Sequence, residues 1–392
     1  RPDSVMGSSF YFSKRKINPM LPETQKKFVN HLYKSDKEAE SINTILSNSD
    51  FISEVTTTAL LLTLFTITYN ARQFKPDSLS EFYSLIFPTM LYRHDRMKMG
   101  FERERKAGLT DYQMQRLFNS LSFLSLNDNN TRFSSYLFQD YLHNSAKLDG
   151  LPENLEDRLI DDITSITALI VRDGFNEFSF THKSIQEYFA SVFISMLSED
   201  RKIGFYKLVI NDFNEFRKWQ NTLSFLETID ERNYTKYFLI PYKKNVLCLD
   251  DDSSININYP SLIKLVGSDS KVRIDESGKL KNFYWGDTLS SVLYVRYSEF
   301  AKNAINSYLQ GEALMLAEFL SYCDESDYVD SQDLDGDYVI VIDKFFKENK
   351  IQKEVTKYLS KKFEDSSFKD EVLNLEADLE ISDKVTDAIL PF

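Results

Sequence analysis

Few residues in this chain are of a type and spacing that could do chemistry. There are four histidines (His31, His94, His143 and His182) and two cysteines, Cys248 and Cys323, which stand far apart. None of them falls into an HExxH, a GxSxG or a Cys/His pair at metal-ligand spacing. Nor does the chain contain a Gly-x-x-x-x-Gly-Lys-Ser/Thr phosphate loop, so no catalytic residue is assigned and no activity is expected of it alone. Residues 330–337 resemble part of a calcium loop. Aligned on Gly336, however, position twelve is Ile342, where a bidentate Glu is needed, and an acidic turn is the better reading. His182 differs from the others by position. It precedes Ser184-Ile-Gln-Glu187, a capping-box pattern, and so sits at the amino end of a helix. Exposed amides and the macrodipole favour an anion there. The residues alone leave two readings open: a hydrogen-bonded histidine in a turn, or a ring that donates to a phosphate.

The elements that must position His182 are legible from period. Ala168–Val171 is strand-like, Asp173-Gly174 is a hairpin turn signal, and Phe178 and Phe180 alternate with polar neighbours. Beyond the cap, Ile185, Tyr188, Phe189, Val192, Phe193, Met196 and Leu197 recur at three and four, which predicts one broad buried helix face. Three helical segments separated by the turns Asn127–Asn130 and Asp149–Pro152 precede the hairpin, giving the outline of a winged helix. Upstream, helices are expected over 22–49, 55–70 and 78–92, followed by a charged stretch from Arg93 to Lys106 that reads as a solvated face. Helices continue to about Tyr242. The acidic turn Leu249–Ser254 is the candidate boundary, after which short strands (271–274 and 280–285) mix with helices near 297–322 and 343–360. There is no internal repeat.

Composition narrows the class. Apolar residues make up 42% and charged residues 27%, the balance of a globular chain, and 31 Phe and 22 Tyr against 11 Gly and 9 Pro favour packed helices. The net charge of −13 argues against general nucleic-acid affinity. The most apolar stretch, Ala59–Tyr69, is too short and too rich in Thr to span a bilayer, which takes roughly 20 apolar residues. No zinc site or disulfide framework is proposed, and a cytoplasmic location is expected.

The run Phe178-Ser-Phe-Thr-His182-Lys-Ser-Ile-Gln-Glu-Tyr-Phe-Ala190 resembles the winged-helix signature of NACHT-type STAND NTPases, signalling proteins that switch with bound nucleotide. Thr58-Ala-Leu-Leu-Leu-Thr-Leu64, followed by Pro76, Glu81 and Tyr83, is similar to that family's leucine-rich helix and its Pro-x-x-x-x-Glu-x-Tyr pattern. Arg1-Pro2 is similar to the end of the family's sensor strand. The resemblance implies that His182 contacts the β-phosphate of ADP, that Arg1 senses the γ-phosphate, and that Ala59 lies near adenine. The family has proline where Ala59 stands, so the fixed φ of proline is missing there.

On this resemblance the fold class is mainly α: a sensor-strand remnant and helical lid (1–108), a winged helix (109–196), a second helical domain (197–250) and a small α+β C-terminal sensor domain (251–392). The implied cofactor is ADP or ATP with Mg, its phosphate-binding half lying upstream of Arg1. The implied partners are NTPase and effector domains of the same protein, a protein trigger such as a phage product, and further copies of the chain in an active homo-oligomer. Neither a membrane nor nucleic acid is expected as a partner. Bacterial members of this compact kind act in antiviral defence. The rival classes are a DNA-binding regulator that uses the winged helix and a helical scaffold without nucleotide. The first needs a basic helix face, yet Ser184–Met196 has only Lys183 at its edge.

Overall fold

The computed structural model describes residues 18–33, 36–72, 75–96, 105–152, 154–250, 252–275, 280–286, 292–311, 329–332, 338–348 and 350–389. The protein is mainly α, with two small antiparallel sheets. Its contacts divide it into two units. One runs to Lys202 and takes in Lys218–Glu231; the other comprises Ile203–Arg217 and the chain from Arg232.

The first unit begins with α1 (Pro22–Leu32), α2 (Asp36–Asn48), α3 (Asp50–Val55), α4 (Ala59–Arg72) and α5 (Leu79–Arg96). The single helix expected over 22–49 is broken, because Tyr33 turns to an extended φ of −110° while its amide still bonds Val29 O. The Nε2 of buried Gln25 then ties α1 to Ser53 O at 2.7 Å and Thr56 O at 3.1 Å. The apolar α4 buries Leu61, Leu62, Leu64 and Phe65. Its threonine hydroxyls bond back to helix carbonyls, Thr63 to Ala59 O and Thr68 to Leu64 O at 2.7 Å each, which satisfies them without water. Of the charged stretch Arg93–Lys106, residues 97–104 lie outside the described residues.

The same unit continues with α6 (Asp111–Asn127), β1 (Arg132–Ser134), α7 (Ser135–Leu148), α8 (Glu156–Asp162, running on as a π turn through Thr167), β2 (Ile170–Arg172), β3 (Glu177–Phe180) and α9 (Lys183–Ser195). The strands form an antiparallel sheet in the order β1-β3-β2, with Phe133 opposite Phe178 and Ile170 opposite Phe180. The chain then runs through α10 (Glu199–Asn211), most of which belongs to the second unit, into α11 (Phe213–Ile229), which returns to the first from Lys218. Trp219 on α11 is buried and stacks on Phe123 of α6 with centroids 5.5 Å apart.

In the second unit, α12 (Glu231–Tyr234) passes through a π turn into α13 (Ile240–Leu247). The chain continues through α14 (Tyr259–Val266), β4 (Lys271–Ile274), β5 (Leu280–Tyr284), α15 (Val292–Gly311), β6 (Val329–Gln332), β7 (Tyr338–Val341), α16 (Ile342–Glu348), α17 (Gln352–Glu364) and α18 (Phe368–Ile389). The sheet order is β5-β4-β7-β6, antiparallel throughout. The helix expected over 297–322 is seen as α15; its continuation beyond Gly311 lies outside the described residues, as do 333–337 of the acidic turn. The acidic α18 is pinned by cations from three helices: Arg232 to Asp383, Lys244 to Glu376, and both Lys243 and Arg296 to Glu371 at 3.0 Å. Those last two guanidinium and ammonium groups hold the Glu371 carboxyl below its ordinary range although its burial pushes the other way. Among the described residues no helix is long and apolar enough to cross a membrane.

Candidate functional site

The Phe178–Ala190 run separates into an inward and an outward set. Phe178 packs on Phe138 at 4.8 Å, and Phe180 on Phe118 at 6.0 Å, which anchors β3. On α9, Ile185, Gln186, Glu187, Tyr188, Phe189 and Ala190 are all buried. Phe189 meets Phe118 edge-on at 4.9 Å, and Tyr188 stacks on Tyr83 of α5 at 5.5 Å. Gln186 is committed to the fold: its Nε2 donates to Ser125 Oγ and to Asn130 O, both at 2.9 Å. Met196, expected on the buried face, caps the end of α9 and is 54% exposed.

His182 and Ser184 are half-buried, at the point where β3 gives way to α9. The expected capping box does not form. His182 itself is the N-cap, with φ −152° and ψ 139°, and its Nδ1 accepts the Ser184 amide at 3.3 Å. Ser184 lies within the first turn, its Oγ 2.5 Å from the same Nδ1 and hydrogen-bonded on its other side to the Tyr83 hydroxyl. Glu187 turns inward to accept from Asn221 Nδ2 at 3.0 Å and to pair with Lys183 Nζ at 3.2 Å, so it cannot serve the orphan amides. Burial pushes the Tyr83 phenol up to about 12; the Ser184 hydrogen bond works against that shift and the nearby Glu187 charge adds to it.

Tyr83 belongs to the second stretch singled out in the sequence, and that stretch has its own physical logic. Pro76 is buried. Ser78 Oγ accepts the Glu81 amide at 3.1 Å while the Glu81 carboxylate accepts the Asp77 amide at 2.6 Å, so α5 starts at a fixed point. Tyr83, one turn on, is carried inward to α9. No pattern within either stretch shows that they meet.

The remaining expected site residues fall as follows. Ala59 is exposed as the first residue of α4, with the Thr58 hydroxyl accepting the Leu61 amide at 3.2 Å. Arg1 lies outside the described residues. His182 is engaged within the turn through Nδ1. Among the described residues no group of three or more His, Cys, Asp or Glu is placed to hold a metal ion.

Residues 229–392 match the family model of the short NACHT-associated C-terminal domain, family 11. This part of the chain is NACHT-associated. The match takes in α12 to α18, the four-stranded sheet and the acidic turn Leu249–Ser254. No curated protein matches the chain.

Proposed function

We propose that this chain is the regulatory and sensing part of a NACHT-type ATP-dependent switch in bacterial antiviral defence. In the resting state His182 ties the α9 unit to ADP held by a phosphate loop upstream. A trigger sensed by the C-terminal part opens the latch, ATP replaces ADP, and the protein oligomerises to activate its effector. The observation that carries this reading is the contact between the two resembling stretches, Tyr83 against Ser184 beside His182. The NACHT-associated match downstream supports it independently. The order helix, strand, two helices, hairpin, helix with sheet order β1-β3-β2 is compatible with a winged helix and so supports the latch reading.

A charge-assisted hydrogen bond contributes about 1.5–3 kcal/mol, enough to bias a two-state equilibrium roughly ten- to hundredfold. In the full-length protein, His182→Ala is therefore expected to release a fluorescent ADP analogue about ten- to hundredfold faster and to raise the resting oligomer fraction. Unchanged release together with an unchanged monomer fraction would sink the latch. DNA binding is disfavoured by α8, the helix before the hairpin, whose Glu-Asp-Arg-Leu-Ile-Asp-Asp run carries one cation among four carboxylates. α9, for its part, buries most of its surface.

A further inference from the structure

A cavity of about 330 Å³ opens in the second unit, and every described residue that lines it belongs to that unit. Val209 of α10, Phe216 of α11, Leu265 of α14 and Tyr294 of α15 are its buried walls. Phe216 stacks on Tyr242 of α13 at 5.3 Å and 15°, and Tyr242 stacks in turn on Phe238 at 5.4 Å, which holds the aromatic wall in place. Ile210, Val246 and Ile263 are half-buried and Phe213 is half-exposed, so apolar surface stays open to solvent inside a concave space. Protein interiors are close-packed and apolar walls give water few hydrogen bonds, so such a space favours an apolar occupant. Its volume lies in the range of small-ligand pockets. The α10–α11 corner, residues 209–216, precedes the segment matched to the C-terminal family, so that segment alone does not complete the cavity.

Charge narrows what can fill it. Among the described residues the lining carries one carboxylate, Asp212, and one ammonium, Lys264. Asp212 is committed to the start of α11, its Oδ1 accepting the Asn214 amide at 2.7 Å and the Glu215 amide at 3.2 Å. Lys264 is exposed, where water already solvates its charge. Burial pushes the Tyr294 phenol up, so that wall is neutral at physiological pH as well. A charged ligand would lose hydration there and gain no buried counter-ion. A flat ring, by contrast, meets the rings of Phe213, Phe216, Tyr242 and Tyr294. Asn211 and Asn245, both exposed on the lining, each offer a donor and an acceptor to an amide or hydroxyl attached to that ring. We propose that this cavity is a binding site for an uncharged aromatic group with such a polar tail, either a free small molecule or a Phe, Tyr or Trp side chain between its peptide groups. The site is separate from His182 and does not rest on the latch reading.

The test titrates the full-length protein with two neutral probes, followed by saturation-transfer NMR. N-acetylphenylalaninamide stands in for a side chain between peptide groups, and tryptophol for a free small molecule. Probes of about fifteen non-hydrogen atoms are expected to bind with a Kd on the order of 1 mM. Tighter binding of the capped residue assigns the site to a protein side chain, and tighter binding of tryptophol assigns it to a free molecule. Phenylacetate and phenethylammonium should bind about tenfold more weakly than either. Phe213→Ala removes a half-exposed ring and should weaken both neutral probes about three- to tenfold. Val246→Trp fills the cavity and should abolish binding while exchange protection of α14 is unchanged; if that variant does not fold, Phe213→Ala carries the test. Equal binding of charged and neutral rings, binding that neither variant weakens, or no binding at about ten times that Kd would overturn the site. ADP release by His182→Ala has no bearing on these outcomes, so the site and the latch fail separately.

Discussion

Replacing Phe189 by Ala separates the scaffold of the candidate site from its working atoms. The Phe189 side chain is fully buried, edge-on to Phe118 at 4.9 Å and 86°, to Tyr188 at 5.0 Å and 85°, and to Phe87 at 5.7 Å and 64°. Truncating a buried Phe costs about 3–5 kcal/mol. Three edge-to-face pairs, each contributing about 0.5–1.5 kcal/mol beyond area, place this one at about 4. His182→Ala removes a half-exposed N-cap and should cost about 1 kcal/mol. With a urea slope of about 2 kcal/mol/M the expected midpoint shifts are ~2 M and ~0.5 M. Hydrogen exchange in peptides from α6 and α9 of the full-length protein, followed across a urea series, reads this unit whatever else unfolds. Equal shifts for the two variants, or a shift below ~0.5 M for Phe189→Ala, would refute the division of the run into an inward scaffold and an outward ring.

Two further outcomes concern the second unit. Glu371, held below its ordinary carboxylate range by Lys243 and Arg296 against the opposing effect of burial, contributes stability that is full above the unfolded pKa and lost as pH falls through the folded one. Protection of α18 amides should therefore decline below about pH 4.5, and Glu371→Gln should flatten that decline while lowering protection at pH 7; an unchanged acid profile would contradict the pairing. Gly267 has φ +93°, and a Cβ there would stand 2.8 Å from the Gly286 carbonyl carbon. Gly267→Ala should cost about 2–3 kcal/mol in thermal or urea unfolding, and a neutral result would mean that the two backbones separate without resistance.

Much of the scaffold is written locally. The change from period two at Phe178 and Phe180 to period 3.6 through Ile185, Tyr188 and Phe189 marks the strand-to-helix junction, and the structure buries each of these residues. What was not legible depends on distant partners. β1 spans Arg132–Ser134, too short to carry a period of its own, and it is a strand because Phe133 finds Phe178 across the ladder. The cap was misplaced for the same kind of reason. Ser184 and Glu187 have the spacing of a box, but Asn221 and Lys183 claim the carboxylate and Tyr83, 101 residues earlier, claims the hydroxyl. With both side chains taken, the cap falls two residues earlier, at His182.

That transfer bears on how the switch would open. Had Ser184 been the cap, His182 would lie two residues outside it, on a backbone able to swing. As N-cap, its backbone is fixed by the first turn of a helix in which eight of thirteen residues are buried, and its ring by Ser184 and Tyr83. Displacing the ring alone means breaking the cap, at about 1 kcal/mol, together with a hydrogen-bonded pair of hydroxyls beside the Tyr83–Tyr188 stack. On the latch reading, letting go of an anion held elsewhere leaves the cap and this pair of hydroxyls intact. Switching should therefore separate His182 from the upstream half of the site while α5 and α9 stay joined. Rigid-body release, with unchanged exchange protection across both helices, is the opening that this arrangement makes cheapest.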